Sequence, residues 1–136
     1  MGGVVASNQY LLSLANWARV RFNSLHEIRL FQNNLLPTPA SVLSDFAECT
    51  FPGYAPQSTD GKFSAPFKLI DGEYVYHRTK WHFVPTGDDA QLAVGWYIVG
   101  FGQVELSGVF FTPQPILNAV PFDVEIILQS WALSVI

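Results

Sequence analysis

The strongest constraint on this chain is the run Asp45-Phe46-Ala47-Glu48-Cys49-Thr50-Phe51-Pro52-Gly53-Tyr54-Ala55-Pro56. Val42, Leu43 and Phe46 are spaced to share one face of a short helical turn. Thr38 is placed to cap that turn, with Pro39 at the first helical position, where a missing N–H costs nothing. Pro52-Gly53 suits the centre of a type II turn, because proline presets φ and glycine accepts φ > 0. Two aromatics, Phe46 and Phe51, can then enter a core just before the chain reverses, with Tyr54 following. Everything after this run reads as β-structure.

Residues 1–8 are small and glycine-bearing, which suits a flexible arm. Over 9–20, Tyr10, Leu11, Leu14, Trp17 and Ala18 form a helical stripe. From His26 to Gln32, Ile28 and Leu30 alternate with Glu27, Arg29 and Phe31, as in a half-buried strand. The strands Phe63–Ile70 and Glu73–Val84 flank Asp71-Gly72, a two-residue hairpin signal. In the second of them Val75, His77, Thr79, Trp81 and Phe83 share a core-like face. Tyr74, Tyr76, Arg78, Lys80 and His82 share the other, a mixture that suits an interface or a ligand platform. Ala90–Phe101 is apolar on both faces, the mark of a central strand. Gln103–Phe111 alternates less cleanly, and Gly108 suggests a bulge. Thr112-Pro113-Gln114-Pro115 reads as a stiff connection, and Ile116–Pro121 as a crossing between sheets. Phe122, Val124 and Ile126 begin a last strand that runs to the end. These features predict one domain over 1–136: a mainly β, antiparallel β-sandwich with one N-terminal helix, compatible with a jelly-roll-like order.

Composition narrows the function. Charged residues make up only 13% of the chain, about half the usual share, which fits exposed apolar surface that invites partners, or else a monomer with a large aromatic core. A net charge of −4 without a clustered basic stripe argues against nucleic-acid binding. The longest apolar run, Leu92–Gly102, is too short to span a bilayer, and no secretory signal is expected at the start. A single cysteine, Cys49, excludes an internal disulfide and a multi-cysteine zinc site; it reads as a small buried residue.

Catalytic patterns are weak. Asp45 and Glu48 are the only carboxylates paired on a helical turn, and they read as a cap and a solvated face. His77 and His82, five apart on one strand, point to opposite faces and cannot share a metal. Asp88-Asp89 lacks the regular oxygen spacing of a calcium loop. Neither a phosphate-binding glycine loop nor a Gly-x-Ser-x-Gly elbow occurs. Trp81, Trp96 and Trp131 fall on core-like faces. The expectation is a non-enzyme with no cofactor and no metal site.

Three segments together resemble a known family: Arg29-Leu30-Phe31-Gln32-Asn33-Asn34, then Leu36-Pro37-Thr38-Pro39, then Asp45-Phe46-x-Glu48-x-x-Phe51-x-Gly53-Tyr54. With the later Gly95-Trp96 strand, they resemble small virion proteins of tailed bacteriophages, over roughly residues 26–130. The resemblance implies a capsid decoration (cement) protein on the virion surface, bound to the major capsid protein and to its own copies. A trimer would match a local threefold axis of the shell. The alternative it implies is a tail or fibre accessory module binding host-surface glycans. Candidate contacts are Leu11, Leu14 and Trp17 on the helix, and Tyr74 and Tyr76 on the strand.

Overall fold

The computed structural model describes residues 17, 20–23, 25–63, 68–70, 73–75 and 79–126, with backbone alone at 68–70 and 73–75. Among the described residues there are eight strands: β1 (His26–Phe31), β2 (Gln57–Ser58), β3 (Lys68–Ile70), β4 (Glu73–Val75), β5 (Thr79–Phe83), β6 (Asp89–Gly100), β7 (Gln103–Ile116) and β8 (Phe122–Ile126). The fold is mainly β and antiparallel, as alternation and turn spacing predict. Helical backbone occurs at Trp17 and Val20–Phe22, and a single 3-10 turn at Leu43–Asp45. The helix expected over 9–20 is therefore described only as a short turn that reaches two residues past its expected end. The remainder of that helix, the arm over 1–8 and the end of the last strand lie outside the described residues.

The chain divides into two compact units. One comprises Met1–Ser24, Asp60–Lys80 and Glu125–Ile136; the other comprises Leu25–Thr59 and Trp81–Val124. In the first, β3 and β4 pair from Ile70↔Glu73 to Lys68↔Val75, which leaves two residues for the turn, as Asp71-Gly72 predicts. Phe22 packs on Phe63, and the Asn23 side chain closes a reciprocal pair with Phe63, donating to its carbonyl and accepting its N–H.

The second unit holds a four-stranded sheet in the order β2-β1-β6-β7. β6 is its central strand, hydrogen-bonded from His26↔Gly100 to Phe31↔Gly95 on one side and to β7 on the other. On one face Phe31, Phe46, Tyr97 and Val99 form a buried cluster, with Leu35 and Leu43 from the preceding loop packed on it. Each such side chain removed from water contributes about 1.5–3 kcal/mol. A second layer of rings adds to the core: Tyr54 stacks on Phe83, Phe83 on Phe122, and Phe122 meets Phe51 and Phe110. Within this unit these contacts join Trp81–Phe83 of β5 and Phe122–Val124 of β8 to the four-stranded sheet, a sandwich-like arrangement. The expected alternation is present: Trp81, Phe83 and Val124 are buried, while His82 and Asp123 are exposed.

Three expectations change. The run Thr112–Pro115 is no connection, since β7 continues through it to Ile116, opposite Leu92 and Ala93. Its prolines are tolerated because β7 ends the sheet order, and an edge strand can lack N–H donors. Gly108 is not a bulge. It sits in register opposite Trp96, whose indole lies so close that a Cβ there would overlap it. The irregularities fall elsewhere: β7 has one more residue than β6 at Glu105, and several more over Phe110–Pro113. Finally, Thr38 and Pro39 do not open the turn that carries Phe46. They form a separate turn closed by Ser41 N–H on the Thr38 carbonyl, while Thr38 Oγ1 accepts the Ala40 N–H.

Candidate functional site

The candidate site of the second unit begins at the end of β1. The segment Ala47–Cys49 runs antiparallel to it: Gln32 N–H donates to the Ala47 carbonyl and Cys49 N–H to the Leu30 carbonyl. Side-chain amides complete the seam. Gln32 Nε2 donates to the Glu48 carbonyl, and Asn33 bridges the Asp45 carbonyl and the Ala47 N–H. Phe51-Pro52-Gly53-Tyr54 then forms the expected type II turn, with Tyr54 N–H on the Phe51 carbonyl and Gly53 at φ +86°.

That turn aims Tyr54 back at β1. Its hydroxyl donates to Glu48 Oε2 at 2.6 Å and accepts the Leu30 N–H at 3.1 Å. Arg29 stands 3.9 Å from the same carboxylate oxygen and donates to Glu27 at 2.8 Å. Burial, reinforced by Glu48, pushes the Tyr54 hydroxyl well above the usual phenol range. Burial likewise raises the adjacent Cys49 thiol to about 12. Both shifts favour the protonated form of each group at neutral pH. The cluster ties the Glu48–Tyr54 segment to β1.

The other candidates also have structural partners. Asp45 Oδ2 accepts the Val42 N–H, as a cap does. Asp88 accepts the Asn118 N–H, and Asp89 is held below the usual carboxylate range by the N–H and side chain of Gln91. His82 meets Asp123 across β5 and β8, and buried His26 lies 3.6 Å from Glu105, at the extra residue of β7. No group of three or more metal-ligating side chains occurs among the described residues.

What remains is surface. Beside the edge of β7 lies a cleft of about 370 Å³, walled by Leu36–Pro39 and Ser41 on one side and Val104–Val109 on the other. Leu36 is 77% exposed, Phe101 65% and Phe111 fully; Val42 and Val109 are partly exposed. Phe101 occupies the β6–β7 hairpin tip at φ +54°, a conformation that disfavours an aromatic side chain. Between Ala90 and Phe122 the sequence carries one charge, Glu105, and between Leu30 and Ser44 none.

No family model, curated protein or solved structure matches this chain.

Of the interface residues expected from sequence, Trp17 is 63% exposed, with the Arg21 guanidinium 5.5 Å from its ring centre. Tyr74 lies in β4, where the backbone alone is described; Leu11, Leu14 and Tyr76 lie outside the described residues. Trp81 is fully buried, as expected, whereas Trp96 is half-buried and Trp131 lies outside the described residues. The exposure of Leu36, Phe101 and Phe111 was missed by sequence reading. Its signal was the absence of charge over two long stretches.

Proposed function

We propose that this protein is a structural subunit of a tailed-phage particle, a decoration protein that binds the major capsid protein and its own copies on the outer face of the shell. The observation that carries the reading is the exposure of the large apolar side chains Leu36, Val42, Phe101 and Phe111. A domain that exposes such side chains gains by covering them, at about 25 cal/mol per Å² of apolar area. The three segments that resemble small virion proteins supply the kind of assembly. The action is mechanical: a subunit that binds only the assembled shell stabilises it by mass action. A trimer is the form that fits a local threefold axis.

The test is to mix the purified protein with undecorated capsids and follow co-sedimentation and shell melting. Saturable binding that raises the melting temperature supports the proposal. Failure to bind shells, together with specific retention on a glycan array, would replace it with the tail-module reading.

A further inference from the structure

We infer that residues 34–44 form a hinged lid over the Phe31–Tyr97 cluster, a loop that lifts as one body while the sheet beneath it stays folded. The segment leaves the end of β1 and returns to the same place. Gln32 N–H donates to the Ala47 carbonyl, and the Asn33 side chain donates to the Asp45 carbonyl while accepting the Ala47 N–H. A surface excursion whose ends are pinned side by side is an Ω-loop, and it can open without carrying its surroundings along.

The loop is tied to itself rather than to the sheet. Among the described residues, every hydrogen bond made by 34–44 closes inside 33–46. Ser41 N–H donates to the Thr38 carbonyl, Thr38 N–H to Ser41 Oγ, Ala40 N–H to Thr38 Oγ1 and Val42 N–H to Asp45 Oδ2. Pro37 and Pro39 fix φ on either side of Thr38, so the tip is stiff. What joins the loop to the sheet is packing: Leu35 and Leu43 rest half-buried on the cluster. No residue from 34 to 45 is buried, whereas Phe31 and Phe46 at the two ends are.

Space undercuts it as well. A cavity of about 530 Å³ lies between Ser41–Ser44 and Gly102–Val104, and one of about 630 Å³ reaches from Leu43 to Arg29 and Val99. The cleft at Leu36–Pro39 continues the gap along β7. Lifting the loop therefore gives up the Leu35 and Leu43 contacts and no hydrogen bond to the sheet. The hinge is set by Asn33, whose two bonds straddle Phe46. Phe46 stacks on Tyr97 at 4.5 Å and stays behind, while Val99 is uncovered. Leu36 and Val42 travel with the loop; Phe101 and Phe111 stay with the sheet. On the assembly reading, a partner that touches both sets holds the loop in the one position it binds best. The opening itself does not depend on that reading.

Thiol labelling of the full chain under native conditions tests the opening. Val99→Cys puts a thiol beneath Leu43, and native Cys49, buried outside the loop, is the control in the same molecule. The Val99→Cys thiol should label at least tenfold faster than Cys49, and low urea should close that gap, because only Cys49 waits for the unit to unfold. Leu35→Ala removes a contact made only in the closed loop and should speed labelling at Val99→Cys at least fivefold. Equal labelling of the two thiols at every urea concentration overturns the inference. So does a Val99→Cys rate that Leu35→Ala leaves unchanged, since the thiol is then reached through a standing gap. Should near-ultraviolet circular dichroism show Val99→Cys unfolded, Leu43→Cys reads the same motion from the loop side, with the same outcomes on either hand.

Discussion

The Tyr54 hydroxyl is the atom on which the distinctive sequence stretch closes, since it satisfies a backbone N–H and a carboxylate at once. Tyr54→Phe keeps the ring stack on Phe83 but strands the buried Leu30 N–H, while partly exposed Glu48 keeps water and Arg29. Leaving such a group unsatisfied costs about 1–3 kcal/mol, which urea denaturation with an unchanged m-value would register. A mutant as stable as the parent would show the tie to be dispensable. Cys49 gives a second residue-scale prediction. Its folded pKa lies above its unfolded one, so its contribution to stability is intact below about pH 9 and lost as pH rises through about 12. Cys49→Ala should therefore move the onset of alkaline unfolding upward. The native thiol should also resist alkylation at neutral pH and react only in denaturant; rapid labelling of folded protein would contradict its burial.

At the scale of elements, two turns test opposite effects of a positive φ. Gly53 sits at φ +86°, and a Cβ there would press within 2.9 Å of the Val84 carbonyl oxygen and the Thr86 methyl. Gly53→Ala should cost about 1–3 kcal/mol, from strain and crowding together. Phe101, also left-handed but largely exposed, sits where a hairpin turn prefers asparagine. Phe101→Asn should stabilise the hairpin by about 0.5–1 kcal/mol, read as a raised midpoint in thermal melts. The type II turn, the two-residue β3–β4 hairpin and the central strand β6 were all legible in sequence. Each depends on neighbouring residues whose φ preferences or alternation are local. The seam made by Gln32 and Asn33 was not legible, because it joins positions more than ten apart through amides that read as ordinary loop residues. The continuation of β7 through its prolines was hidden for a related reason. Proline forbids a strand only where its N–H is needed, and that depends on which strand lies at the edge.

For the whole molecule, low charge was legible as a demand for partners, yet its location was not. Periodicity marks which residues alternate, not which end of an apolar run finds cover. Phe111 reads like Phe110 in sequence; Phe110 meets Phe122, while Phe111 is fully exposed. Because Phe111 and Leu36 have little burial to lose, Phe111→Thr with Leu36→Ser should leave unfolding free energy within about 0.5 kcal/mol of the parent. Threonine keeps the strand preference at Phe111, so the backbone has no reason to change. The same double substitution removes apolar area from the proposed assembly surface. Association between copies and binding to capsid shells should therefore weaken at least tenfold while the melting curve of the isolated protein holds. A loss of stability as large as the loss of binding would mean that these side chains serve the fold. Unchanged stability with unchanged binding would move the interface to the exposed Trp17 and the Tyr74 strand.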